Sequence, residues 1–184
     1  MHKDKVLMFM VVATEAVFFT LLILAYLYFH ATSGEGAKQT ALLDPLRTFY
    51  FSMFLFTSSF TVWRAEKNVD KKNFGRSRFW LLVTILFGIT FLVGQGIEWT
   101  GLIRHGETVS TNLFGTTFFT LTGFHGMHVF VGLIVLSILL GISMLGDFQQ
   151  PRTANSVGVV AIYWHFVDIV WVFIFSLVYL QVLS

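Results

Sequence analysis

Five long apolar stretches limit what this chain can fold into. Each is about as long as the roughly 20 residues that an α-helix needs to cross the hydrocarbon core of a bilayer, or longer. Backbone polar groups in lipid must be satisfied within the segment, so such stretches have to form helices. The stretches are residues 6–29, 45–63, 79–99, 113–145 and 157–183. They predict an all-α membrane protein, a five-transmembrane-helix bundle that forms one domain over residues 1–184.

Composition agrees with a membrane protein. Only 12% of the residues are charged, whereas a soluble domain has about 25%. The second stretch is the most polar, because it contains Ser52, Thr57, Ser58, Ser59 and Thr61. Hydroxyls of this kind often face neighbouring helices, where they bond across the interface or back to their own backbone. We therefore expect hydroxyl residues of this helix to face its neighbours, with Pro45 in its first turn.

Two further features of the composition exclude whole classes of site. The chain has no cysteine, which excludes disulfides, iron–sulfur clusters and thiolate metal sites. The pI of about 9.0 does not indicate nucleic acid as a partner. The basic residues cluster in one connecting segment, as topology signals do.

The distribution of basic residues predicts the orientation. With five spans, one side of the membrane receives nine basic residues: Lys3, Lys5, Arg64, Lys67, Lys71, Lys72, Arg76, Arg78 and Arg152. The other side receives three: Lys38, Arg47 and Arg104. Because cytoplasmic loops carry the excess of Lys and Arg, the N-terminus is predicted to be cytoplasmic and the C-terminus outside.

Ionisable residues inside the apolar stretches are the candidate functional residues, since such groups are costly in lipid. A rise of about 1.5 Å per residue places those of the first, fourth and fifth helices roughly 12–16 Å from the inner surface. Residues three apart share a helix face, which joins His125 to His128 and His165 to Asp168. We therefore predict an interhelical polar cluster of Glu15, His125, His128, His165 and Asp168.

Three interpretations of this cluster remain open. It is a structural hydrogen-bond network that determines helix packing, a proton-linked or lipid-headgroup site, or a metal or haem site. The third has the least support, because the chain lacks the Glu-x-x-His pairs of carboxylate-bridged metal sites. Gln95 and Glu98 form a secondary, interfacial feature at the outer end of the third helix. There Glu98 is expected to reach water or to bond to another subunit.

Two motifs identify a family. The chain reads TGFHGMH at residues 122–128 and YWHFVDIVW at residues 163–171. Both are similar to segments of subunit III of the haem–copper respiratory oxidases, also called cytochrome c oxidase subunit 3. Weaker similarity comes from TEAVFF at residues 14–19, which looks like the intramembrane glutamate segment of the family, and from GQGIEW at residues 94–99. The chain resembles the short, five-helix bacterial form, which lacks the first two of seven helices.

The resemblance implies a non-catalytic subunit III of a proton-pumping terminal oxidase in a prokaryotic plasma membrane. It implies no cofactor in this chain, haem and copper in partner subunits, and bound phospholipid. The implied partners are subunit I as the main contact, subunit II, a small subunit IV and membrane lipids. The implied role is support of the stability and proton uptake of subunit I while dioxygen is reduced to water. Glu15 matches the family carboxylate that reacts with hydrophobic carbodiimides.

Three alternatives remain at this point. The first is subunit III of a quinol oxidase, since other subunits select the electron donor. The second is an accessory membrane protein of nitric oxide reduction. The third is a stand-alone carrier of protons or small solutes, which would need an aqueous path and usually has paired repeats. The sequence shows neither an aqueous path nor paired repeats.

Overall fold

The described part of the chain is helical apart from short turns. The structure is a computed structural model, and it describes residues 3–32, 43–108, 110, 113–145 and 151–179, with the backbone alone for residues 151–154. These ranges contain five helices and no strand: α1 Lys3–Thr32, α2 Pro45–Asp70, α3 Phe74–Arg104, α4 Leu113–Met144 and α5 Pro151–Tyr179. The predicted all-α class is therefore confirmed, and the predicted end of the last stretch at residue 183 lies outside the described residues.

Four helices are long and apolar enough to cross a membrane. They are α1, α3, α4 and the part of α5 from Asn155 to Tyr179. The second helix, α2, is long enough but not apolar enough to count among them, because its hydroxyl residues lower its mean hydropathy. The chain is thus a membrane protein with four candidate spans among the described residues, and the fifth span through α2 stays a prediction.

Most hydroxyl residues of α2 face the rest of the bundle, as predicted, whereas Thr57 is exposed and donates to a carbonyl of its own helix. Ser52 and Ser58 are fully buried, and they accept hydrogen bonds of 2.8 Å from the indole nitrogens of Trp171 and Trp164. Each serine also donates to a carbonyl of its own helix. These bonds satisfy the two largest side chains of the core without a charged group.

The helix pair α2–α3 extends beyond the predicted apolar segments. α2 continues to Asp70 and α3 begins at Phe74. Asn73 caps α3 by accepting from the backbone N–H of Arg76. A helix can continue past its apolar stretch where water solvates its polar side chains, which explains the added turns. At the other end, Pro45 occupies the first turn of α2 after the cap Asp44, as predicted.

The last helix lies at the centre of the bundle, packed against α1, α2 and α4. Its Trp164 is fully buried and fits against α4 because position 132 is a glycine. A Cβ atom there would lie 2.8 Å from the indole ring. By contrast, α1 buries few side chains, chiefly Phe19 and Tyr26, so most of its surface faces lipid or a partner subunit.

Candidate functional site

Glu15 of α1 and His128 of α4 form a hydrogen-bond contact between helices. The His128 Nε2 atom lies 3.0 Å from Oε2 of Glu15, and the side chains are 12% and 31% exposed respectively. The pair borders a cavity of about 300 Å³ whose other walls are Phe18, Phe124 and Met127. The glutamate therefore reaches the lipid-facing side of the bundle while the imidazole lies further in.

Hydrogen bonding around His128 determines which nitrogen carries hydrogen. The Nδ1 atom lies 2.7 Å from the backbone carbonyl of Phe124, which can only accept, so Nδ1 is protonated. Nε2 then either accepts from a protonated Glu15 or donates to its carboxylate. A proton shared between Nε2 and Oε2 leaves the pair without net charge, whichever of the two atoms carries it. The pair can thus hold a proton without placing a net charge in lipid.

A second polar group joins α5 to α2. The Ser59 hydroxyl donates a hydrogen bond to Oδ2 of Asp168. The hydroxyl oxygen of Ser59 also lies 3.0 Å from Nδ1 of His165. Because the hydroxyl hydrogen is used toward the carboxylate, the imidazole must be the donor to the serine. The result is a chain of donors from His165 through Ser59 to Asp168, which is 5% exposed.

His125 has a third environment made of aromatic rings. The residue is fully buried, and its ring stacks on Trp171 at 4.8 Å between centroids. Phe91 and Phe19 meet it edge-on at 5.9 and 6.4 Å. Neither ring nitrogen has a hydrogen-bond partner among the described protein atoms. Phe19 also contacts the ring of His128 at 5.0 Å, so aromatic packing connects the two histidines.

The five predicted site residues are thus distributed over three environments. The structure pairs Glu15 with His128, links His165 to Asp168 through Ser59, and surrounds His125 with rings. Within the described ranges, no three His, Asp or Glu side chains come together as a metal-binding group. Sequence reasoning missed Ser59 as a site residue, although its place among the hydroxyls of the second stretch was the available signal.

Glu98 differs from the prediction that it reaches water or another subunit. Its side chain lies inside the bundle and is 4% exposed. The Thr48 hydroxyl donates to Oε1 at 2.7 Å, and the Tyr179 hydroxyl donates to Oε2 at 2.5 Å. These donors come from α2 and from the end of α5, which satisfies the carboxylate without solvent. Gln95, also buried, donates to the carbonyl of Thr122 at 2.7 Å.

Comparison with known proteins gives a consistent set of similarities. A family model described as cytochrome c oxidase subunit III matches residues 3–182. The probable cytochrome c oxidase subunit 3 of Mycobacterium leprae (strain TN) is 34% identical over 91% of this chain and 82% of its own length. The cytochrome c oxidase subunit 3 of Bacillus subtilis (strain 168) is 35% identical over 97% of this chain and 87% of its own length. The cytochrome c oxidase subunit 3 of Bacillus sp. (strain PS3) is 33% identical over 97% of this chain and 86% of its own length.

Proposed function

The chain belongs to the cytochrome c oxidase subunit III family, and we propose that it supports the stability and proton uptake of subunit I without a catalytic centre of its own. As subunit III of a haem–copper terminal oxidase it is part of a respiratory complex with other subunits. In this proposal subunit I is its main contact, with subunit II and a small subunit IV nearby. The site of action is a prokaryotic plasma membrane, where partner subunits hold the haem and copper that reduce dioxygen to water.

The engagement of the intramembrane histidines supports a non-catalytic role. His128 contacts Glu15 and the carbonyl of Phe124. His165 contacts Ser59, and His125 is enclosed by aromatic rings. A haem or copper ligand needs a free imidazole nitrogen that faces an open position. Rings enclose His125 on several sides, and no three His, Asp or Glu side chains of the described residues form a metal-binding group around any of these imidazoles.

The contact between Glu15 and His128 is the observation that carries the proton-linked part of the proposal. A proton can move between Oε2 and Nε2 over 3.0 Å without changing the net charge of the pair. The adjoining cavity of about 300 Å³ leaves the glutamate accessible from the lipid side. A group that stores one proton at low electrostatic cost is suited to assist proton delivery in a neighbouring subunit.

Purification through a tag on this chain tests the assignment to an oxidase. Mild-detergent extraction is expected to bring along a large multi-helix subunit and the absorption bands of haem. The copper ligands of the co-purified subunits would then show whether cytochrome c, which the names of the relatives favour, or a quinol is the electron donor. A colourless and solitary chain would contradict the proposal. If the chain co-purifies with a partner complex only from cells grown with nitrate, and not from cells grown with oxygen, nitric oxide reduction would be favoured instead.

Replacement of Glu15 by glutamine tests the proton-linked role. We expect Glu15→Gln to assemble in wild-type amounts, because an amide N–H can donate to Nε2 of His128 in place of the acid. Labelling by a hydrophobic carbodiimide, which needs a carboxyl group, should be lost. The rate of oxygen consumption should fall, because the amide at position 15 cannot exchange a proton with His128. Labelling is followed by mass spectrometry of the chain, and activity with an oxygen electrode.

Asp168→Asn provides the matched control for this experiment. Asp168 is also an intramembrane carboxyl group, but it is 5% exposed and accepts from Ser59. The control should therefore retain carbodiimide labelling at Glu15. Failure of Glu15→Gln to assemble would show that the pair is structural, and unchanged labelling would show that Glu15 is not the reactive carboxyl.

Single cysteines test the proposed orientation. The chain has no cysteine of its own, so Lys72→Cys and Glu107→Cys each introduce one thiol, at opposite ends of α3. We expect a membrane-impermeant maleimide to label Glu107→Cys in intact cells and Lys72→Cys only after the membrane is opened. This follows from the excess of basic residues around Lys72. The reverse pattern would show that the N-terminus is outside.

A further inference from the structure

A cationic cavity lies where α2 ends and α3 begins, away from the buried polar groups. Its volume is about 400 Å³, and we call it the hairpin cavity. Four of its lining residues are basic: Arg64, Lys67, Lys71 and Arg76. The side-chain amides of Asn68 and Asn73 complete its polar wall. A topology signal requires only positive charge in a loop, whereas here the charges line one concave surface.

Carboxylates near the hairpin cavity do not neutralise it. Lys67 lies 3.6 Å from Asp70, a pair in which both side chains are more than half exposed. Such surface pairs contribute little stability and leave the charge available to a ligand. Glu66 contacts Lys5 of α1 instead, at 3.9 Å. Within the described residues, Arg64, Lys71 and Arg76 have no carboxylate partner, so the cavity retains a positive potential.

Aromatic rings mark the apolar side of the hairpin cavity. Phe79 and Trp80 belong to its lining, and Phe79 is exposed. The guanidinium carbon of Arg64 lies 5.5 Å from the centre of the Trp80 ring and 5.7 Å from that of Phe60. Aromatic residues concentrate at the level of lipid headgroups. The cavity thus combines basic side chains with aromatic rings in one concave surface.

The start of α3 adds a further attraction for anions. Asn73 caps this helix and lines the cavity, and Arg76 follows in the first turn. The N-terminus of a long helix carries a partial positive charge from its aligned peptide dipoles. That charge adds to the potential of the four basic side chains. Together they favour a ligand with a compact negative group and an apolar remainder.

We propose that the hairpin cavity binds the phosphate of an anionic phospholipid headgroup. Arg64 and Arg76 are placed to donate to the phosphate oxygens, since guanidinium groups match that geometry. The rings of Phe79 and Trp80 contact the start of the acyl chains. The proposed orientation would place this lipid in the cytoplasmic leaflet. A test of lipid binding in detergent solution does not depend on that orientation. The arrangement of rings beside cations favours a lipid over free phosphate, which would need only the charges.

Native mass spectrometry of the full-length chain with added lipid tests this proposal. Phosphatidylglycerol in mild detergent is the probe, and phosphatidylcholine is the zwitterionic comparison. The variant Arg64→Gln/Arg76→Gln removes two cations of the cavity. Its matched control is Lys72→Gln/Arg78→Gln, which removes two charges from the same end of the α2–α3 pair at positions that do not line the cavity. Inorganic phosphate is added as a competitor in a separate arm.

The expected result is one retained phosphatidylglycerol whose dissociation constant rises about tenfold or more in Arg64→Gln/Arg76→Gln. The control should differ from the wild type by about twofold at most. Equal retention of phosphatidylcholine, or an equal loss in the control, would overturn the proposal. Displacement of the lipid by millimolar inorganic phosphate would show that the site serves free phosphate. Because the measurement needs no oxidase partner, it can fail while co-purification with the oxidase succeeds, and the reverse.

Discussion

Replacing Gly94 by alanine should destabilise the isolated chain by about 1–3 kcal/mol, the usual cost of overpacking a close interface. Gly94 of α3 packs directly on the ring of Phe51 of α2, and a Cβ atom would overlap that ring at its root. The first ring carbon lies next to the backbone and cannot move without shifting the helix. α2 and α3 make the most extensive contact in the bundle, so the strain falls on a central interface.

Gly96→Ala is the matched control, because it makes the same chemical change two residues further along α3. A Cβ at position 96 meets nothing within 4 Å, and alanine favours a helix over glycine by up to about 1 kcal/mol. We expect this variant to be neutral or slightly stabilised. Unfolding of each full-length chain by denaturing detergent in mixed micelles, followed by tryptophan fluorescence, gives the free energies. Equal stability of the two variants would contradict the packing of Phe51 on α3.

The second large effect is expected when Glu98 loses both of its donors. Thr48→Val with Tyr179→Phe removes the hydrogen bonds to Oε1 and Oε2 and leaves a buried carboxyl group unsatisfied. Each such bond to a charged group contributes about 1–3 kcal/mol, with the lower part of this range expected in membranes. We therefore expect the double variant to lose about 2–4 kcal/mol in the same unfolding measurement.

A third substitution separates the unsatisfied carboxyl group from a simple loss of packing. Adding Glu98→Leu to the double variant removes the group that lacks partners, and apolar replacement of a whole buried polar network is often close to neutral. The triple variant should therefore recover most of the lost stability. If it is as unstable as the double variant, Thr48 and Tyr179 stabilise the bundle by shape and not through Glu98.

Helix content and the role of α2 followed from local properties of the sequence. Apolar length predicted helices, since only a helix satisfies the backbone inside a segment that crosses lipid. The clustered hydroxyls of α2 predicted contacts with other helices, and the bonds from Trp164 and Trp171 confirm them. The same hydroxyls keep α2 below the hydropathy of a clear membrane span. Local composition thus indicated the packing of this helix better than its place in the bilayer.

The candidate site was predictable only as a set of residues at one depth. His125 and His128 are three positions apart, which leaves them roughly 60° apart around the helix axis. That angle is enough to direct them to different neighbours. His128 meets Glu15 of α1, whereas His125 meets Trp171 of α5 and Phe91 of α3. The rise per residue predicted the depth of these side chains in the membrane. Their direction around the helix axis, which the sequence does not give, determined which residues they contact.

By itself, the sequence determined the membrane class, the helical segments and the family, because these depend on segment length, hydropathy and short motifs. Only the tertiary structure decided which side chains meet. Ser59 and Asp168 are 109 positions apart, and Glu98 and Tyr179 are 81 apart. In a soluble helix the apolar stripe would show the inward face. In this bundle the lipid-facing side and the core-facing side of a helix are both apolar, so hydrophobic periodicity does not show the rotation of each helix about its axis. The contacts between helices depend on that rotation.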